Sequence, residues 1–184
     1  MNRFMEPTIE ELKKDHGGHI CYIYENHTKY IETVVAFIVS GIKQGEHVIL
    51  IENERNMIQI YEQLDTHLNQ LQRENLHTIN NFDFYWANED FHPRTISNYF
   101  TKKVDTFTPN GESVRTWGHV EWGDPKSLND KLEEYEKIAD CLIHEKGIIS
   151  VCAYDANKIP ATWTSLLINC HGVTLSDREV IHSS

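Results

Sequence analysis

Residues 19–51 carry two short apolar runs on either side of one amphipathic helix, and that pattern leaves few folds open. His19-Ile20-Cys21-Tyr22-Ile23-Tyr24 reads as a strand, and Glu25-Asn26-His27-Thr28 as a polar turn. Ile31, Val34, Val35, Ile38 and Ile42 then recur at helical spacing, and Gly45 suits the position just past a helix C-terminus. Val48-Ile49-Leu50-Ile51 follows, a continuous apolar run of the kind buried on both faces of a parallel sheet. Strand, helix and strand at this spacing form a parallel crossover unit.

The alternation continues along the chain. Met57, Ile58, Ile60, Tyr61, Leu64, Leu68 and Leu71 predict a second helix, and Phe82-Asp83-Phe84-Tyr85-Trp86 a third strand. Asn88-Glu89-Asp90 is a turn, Pro93 opens a helix to about Phe107, and Pro109-Asn110-Gly111 is another turn. A fourth strand spans 113–120 and runs into Glu121-Trp122-Gly123-Asp124-Pro125. Leu128, Leu132, Tyr135, Ile138, Ala139 and Leu142 line one face of a helix from Ser127 to Glu145, whose Glu133, Glu134 and Glu136 read as solvated. A fifth strand covers 148–154, Asp155-Ala156-Asn157 turns, and a helix runs from Pro160 to about Asn169. Residues 171–175 offer a further short strand. β-α repeated five times predicts an α/β three-layer sandwich around a mostly parallel sheet of five strands or slightly more.

The ends are read separately. Thr8 with Glu11 three residues on fits a capping box, opening a short helix that stops at Gly17-Gly18. That helix either packs on the sheet or serves in a homodimer. Residues 177–184 are expected to fray. The expected organisation is a helical extension over 1–18, a single domain over 19–175 and a flexible tail over 176–184.

Composition narrows the partners. The net charge is −11 with no run of Lys or Arg, which argues against direct nucleic-acid binding and against an anionic membrane surface. No apolar run approaches the roughly 20 residues of a membrane span, and the N-terminus has no apolar signal core. Cys21, Cys141, Cys152 and Cys170 form no C-x-x-C pair, which fits a reducing, cytoplasmic setting without disulfides.

In a parallel sheet the turns after the strands gather on one edge and form a crevice. That edge is expected to collect Tyr24, Glu25 and His27, then Glu52, Asn53 and Arg55, then Trp86, Glu121, Trp122, Tyr154 and Asp155. Aromatic groups with a few polar ones suit a small organic molecule. A phosphate loop needs G-x-x-x-x-G-K-[ST], and the first turn has no glycine, so ATP hydrolysis is not expected and no cofactor is implied. His119 and Glu121, two apart on one strand face, with His27 or Glu52, make a weak metal set; a hydrogen-bonded pair accounts for them as well. Asp15, His16 and His19 are similarly ambiguous. There is no G-x-S-x-G, and Cys21 and Cys152 lie inside strands, where a catalytic thiolate is out of place.

Several stretches, in order, carry a resemblance: 19–25, Phe37-Ile38-x-x-Gly41-x-x-x-Gly45-Glu46, Glu121-Trp122, Leu132-Glu133-Glu134-Tyr135-Glu136, Cys152-Ala153-Tyr154-Asp155, and the last helix ending at His171. Together they resemble the MEDS sensory domain, found in the dichloromethane-responsive repressor and in methanogen and methylotroph signalling proteins. The resemblance spans about residues 15–175. It implies a degenerate RecA-like fold without a phosphate loop, no catalysis, and sensing of small hydrocarbon derivatives. His19, Tyr24, Glu121, Trp122, Tyr135, Tyr154 and His171 match the family's recurring positions, and ligand contact at them is implied only by that match. Family members are often fused to DNA-binding or kinase modules. No such module is expected within these residues, so the signal would pass to a signalling or transcription-regulatory protein. Two other classes stay open: a ligand-independent regulator of the anti-sigma or kinase-inhibitor type, and a metal- or nucleotide-dependent enzyme.

Overall fold

The computed structural model describes residues 1–87, 89–122 and 128–183. In chain order they form α1 (Met5–Lys14), β1 (Gly18–Tyr24), α2 (His27–Lys43), β2 (His47–Glu52), α3 (Glu54–Leu64), α4 (Gln70–Arg73), β3 (Leu76–Asn80) and α5 (Asn81–Tyr85). There follow α6 (Pro93–Val104), β4 (Val114–His119), α7 (Asn129–Lys146), β5 (Ile149–Asp155), α8 (Ala161–Cys170), β6 (Val173–Ser176) and β7 (Val180–His182). The seven strands make one sheet in the order β3-β2-β4-β5-β1-β6-β7. Every pair is parallel except β6 with β7.

The alternation of side chains along each strand divides the core in two. Ile20, Tyr22, Tyr24, Val48, Leu50, Trp117, Val151 and Ala153 face α1, α2 and α3. Cys21, Ile49, Ile51, Cys152 and Tyr154 face α5, α6, α7 and α8. Near-continuous burial of β1, β2, β4 and β5 is what helices on both faces require. Among the described residues no helix is long and apolar enough to cross a membrane.

The phrase Phe37-x-x-x-Gly41-x-x-x-Gly45-Glu46 has a packing reason. Arg115 on β4 is fully buried and reaches Glu46 with Nε at 2.5 Å and Nη2 at 3.0 Å, and the Phe37 carbonyl with Nη1 at 3.2 Å. A Cβ at position 41 would stand 2.7 Å from Arg115 Cδ, so only glycine lets α2 pass over the guanidinium. Gly45 turns the chain with φ +82°, which aims Glu46 back at that charge.

Five expectations need correction. The third strand is Leu76–Asn80, and Phe82-Asp83-Phe84-Tyr85-Trp86 is mostly helix α5. Asn80 decides this: its side-chain oxygen accepts the Phe82 N–H at 2.9 Å, capping a helix that the aromatic alternation hid. The second helix stops at Leu64, and Asn69 opens α4 separately with a capping box through Gln72. The Thr8–Glu11 capping box does not form, because α1 already starts at Met5 and Thr8 is buried inside it. α1 packs into the core through Met5 and Ile9. The tail does not fray: Val180–His182 pairs with β6 in register Val173↔His182. Glu136 is not solvated; it is fully buried on the inner face of α7. The Gly123-Asp124-Pro125 turn, the expected helix start at Ser127 and Asn88 lie outside the described residues.

Candidate functional site

The C-terminal ends of β1 to β5 lie level with one another: Tyr24 pairs with Asp155, Glu52 with Asn80 and His119 with Ala153. Above them is a cavity of about 440 Å³ lined by Tyr24, His27, Asn53, Arg55, Asn56, Asn80, Phe82, His119, Glu121, Asp155 and Lys158, among others. A larger cavity of about 520 Å³ lies between α1 and α2, lined by Met5, Val35, Phe37 and Val39 and remote from the strand ends. It holds no converging set of charged groups on the sheet, so we place the candidate site at the smaller one.

Its floor is a connected polar network. The His119 Nδ1 is 2.6 Å from Glu52 Oε1, and its Nε2 is 3.0 Å from the Tyr24 hydroxyl. Tyr30 donates its hydroxyl proton to Glu52 Oε2 and accepts the Trp117 indole N–H at 3.1 Å. Glu121 Oε2 accepts from Asn53 and Asn81, both at 2.8 Å, and Lys158 lies 3.4 Å from its other oxygen. Burial alone would lower the His119 pKa, but the Glu52 and Glu121 carboxylates outweigh it and hold the imidazole above its ordinary 6.5. Burial works to raise the Glu121 carboxyl, and His119, Asn81 and Asn53 reverse that to a net lowering. Burial, with the nearby Asp155, Glu52 and Glu121 charges, raises the Tyr24 phenol. Tyr24 therefore stays a neutral hydroxyl at any ordinary pH and is unsuited to act as a nucleophile.

Of the expected site residues, Tyr24, His27, Glu52, His119 and Glu121 come together here. His27 is fixed to Asn56 at 2.9 Å. Glu25 stands at the rim, paired with Arg178 at 2.8 Å. Trp122 leaves the crevice to pack on Trp163 and Tyr154, with ring centroids 4.8 and 6.2 Å away. Trp86 also turns away and donates its indole N–H to the Glu121 carbonyl at 3.1 Å. The lining is thus more polar than the aromatic crevice expected. His19, Tyr135, Tyr154 and His171 are buried on the opposite face of the sheet, against α7 and α8, and do not reach the crevice. The weak metal set of Glu52, His119 and Glu121 does converge. Each of its carboxylates already has hydrogen-bonding partners, so the pairing reading accounts for it.

The first turn shows why the phosphate loop is missing in structure as well as in sequence. Asn26 caps α2 by accepting the Lys29 N–H at 2.9 Å. The amides of Glu25 and Asn26, which a bound phosphate would use, both donate to Asp177 Oδ2 at 3.0 Å. Tyr22 donates to the other Asp177 oxygen at 2.8 Å. Asp177, Asn56, Asn81 and Lys158 were not anticipated. Asn56 follows the Asn53 cap at N3 and was legible as a first-turn residue; Asp177 carried no local signal.

Comparison with known proteins agrees with this layout. Among curated protein sequences there is no match. The fold is similar to the RadB recombinase, with 11% identity over 85% of this chain and 73% of that one, at a TM-score of 0.58. It is also similar to the flagellar accessory protein FlaH from Methanocaldococcus jannaschii, with 12% identity over 88% and 71% of the two chains, at a TM-score of 0.50. At such identities the likeness establishes a RecA-like fold. The family model of the methanogen/methylotroph, DcmR sensory domain matches residues 18–172, from the start of β1 to just past the end of α8, and the chain belongs to that MEDS family.

Proposed function

We propose that this sensory domain binds a small organic molecule in the strand-end crevice, without catalysis, and passes the signal to a partner protein through α3. The observation that carries the non-catalytic part is Asp177 on the amides of Glu25 and Asn26. An internal carboxylate fills the place of a phosphate and repels one. The mixed lining of Glu121, Asp155, Lys158 and the raised His119 favours a ligand with at least one polar or charged group over a bare hydrocarbon.

α3 supports the signalling part. Its first turn, Glu54-Arg55-Asn56, lines the cavity, while Ile58 and Tyr61 on the same helix are 62% and 38% exposed. Leu71 on α4 is 73% exposed. A ligand that shifts the first turn of α3 would move these apolar side chains, which are suited to a protein partner.

A thermal-shift screen of small alcohols, amines, carboxylic acids and halogenated hydrocarbons tests the reading, since a ligand that binds only the folded chain raises its melting temperature. We expect a hit whose shift disappears in Glu121→Gln. Stabilisation by ATP with measurable turnover, or failure of every class, would overturn it.

A further inference from the structure

On the far side of the sheet from the crevice, four side chains converge from four elements: His19 from β1, Cys152 from β5, Glu136 from α7 and His171 at the end of α8. All are buried, and one donor atom from each lies within 4.8 Å of the others. His19 Nε2 is 3.2 Å from Cys152 Sγ and 3.5 Å from Glu136 Oε2, and His171 Nε2 is 3.3 Å from the same oxygen. The edge of a tetrahedron around a metal with bonds of about 2.0–2.3 Å is about 3.3–3.8 Å, and these three separations lie close to that range.

Hydrogen bonding fits the same reading. His171 Nδ1 is 2.8 Å from the Leu167 carbonyl, which places its proton there and leaves the Nε2 lone pair facing the cluster. His19 Nδ1 stands 3.5 Å from Asp140 Oδ1 without a hydrogen bond to it, while its Nε2 faces the cluster. Tyr154 donates its hydroxyl to Glu136 Oε1 and so turns Oε2 toward the two imidazoles. Glu136 Oε2 and His171 Nε2 have no hydrogen-bond partner among the described residues although both are buried. Two buried acceptors facing each other without a proton or cation between them are both left unpaired, which is unfavourable. A divalent cation removes that penalty.

We propose that His19, Glu136, Cys152 and His171 form a closed four-ligand site for a divalent transition metal of the zinc type. Two imidazole nitrogens, one thiolate and one carboxylate suit a borderline cation better than magnesium or calcium. Four protein ligands and complete burial leave no open position for substrate, so the centre is structural: it ties β1 and β5 to α7 and α8. Metal entry requires Cys152 to lose its thiol proton, so binding strengthens as pH rises.

The test uses the whole chain, stripped with a chelator and titrated with cobalt(II), with metal content measured in parallel on protein purified without chelator. We expect one metal per chain, a near-ultraviolet sulfur-to-cobalt charge-transfer band, and a higher melting temperature with zinc. Cys152→Ser should abolish the band, and Tyr154→Phe, which removes only the support of Glu136, should weaken cobalt binding about 10- to 100-fold with the ligands intact. The proposal is overturned if folded wild-type protein takes up no cobalt, or if Cys152→Ser, shown folded by circular dichroism, keeps the band. His119→Gln, in the crevice, should leave the titration unchanged; if it abolishes uptake instead, the metal sits in the crevice and the assignment is wrong.

Discussion

Asp177 Oδ2 accepts the backbone N–H of Asn26 at 3.0 Å, joining the β6–β7 turn to the turn after β1 across 151 residues of sequence. The same oxygen takes the Glu25 N–H, and the other takes the Tyr22 hydroxyl. In a RecA-like sheet those amides face the crevice at the start of a helix, where an anion is favoured by the aligned peptide dipoles. The chain supplies its own anion. Those two amides are therefore already satisfied within the chain.

The first prediction follows from that contact. Asp177→Ala removes three hydrogen bonds, two to backbone amides, and should cost about 1–3 kcal/mol of stability. Urea unfolding checks it. An unchanged midpoint would mean that water replaces the carboxylate without loss and that the turn is not held by it.

A second prediction concerns Gly118 on β4. A Cβ there would lie 2.5 Å from the Tyr85 hydroxyl, so the ring of Tyr85, fully buried against Tyr135 and Phe91, would have to move. Gly118→Ala should destabilise by about 1–3 kcal/mol through overpacking. Gly118→Ala combined with Tyr85→Phe should recover part of the loss, and equal melting temperatures for the two variants would count against the clash.

Much of the fold was legible because β1, β2 and β5 are largely apolar runs separated by helices of matching period. What stayed hidden depends on distant partners. Phe82-Asp83-Phe84-Tyr85-Trp86 alternates like a strand, and only the Asn80 cap and the pairing of Leu76–Asn80 with β2 make it a helix. The crevice was legible as a place, since Tyr24, Glu52, His119 and Glu121 all end or follow strands. Its lining was not, since Lys158 and Asn81 enter from a turn and a helix with no motif of their own. Glu136 was read as solvated although it lies four residues after Leu132 on the helix's apolar face, where it is buried. Its partners His19, Cys152 and His171 come from three other elements, which no local pattern links.

The Glu52–His119 contact gives a pH prediction. The net upward shift of the His119 pKa means that the folded state favours the imidazolium more than the unfolded state does. Its stabilising contribution is complete below the ordinary 6.5 and is lost as pH rises through the raised folded value. The wild-type melting temperature should therefore fall over part of the range above neutrality by more than that of His119→Gln. A parallel pH dependence in the two proteins would remove His119 as the cause.

The last prediction weighs charge against packing at Arg115 and Glu46. Both are buried, bonded at 2.5 and 3.0 Å, with Lys13 Nζ also 2.5 Å from Glu46. Deleting Glu46 alone leaves a guanidinium buried under α2 with the Phe37 carbonyl and ring as its partners among the described residues, and Glu46→Ala should cost about 3–5 kcal/mol. Replacing both residues is a different experiment. Desolvating two charges offsets much of their attraction, so Arg115→Met with Glu46→Leu should be far milder than Glu46→Ala alone. Gly41 sets the limit: a Cβ there would lie 2.7 Å from Arg115 Cδ, so α2 passes close over this side chain and the replacement must not be bulkier than arginine's own stem. If the double variant is as unstable as the single one, the pair contributes net stability and not merely a requirement that neither charge be left alone. Urea midpoints for the two variants decide between these outcomes.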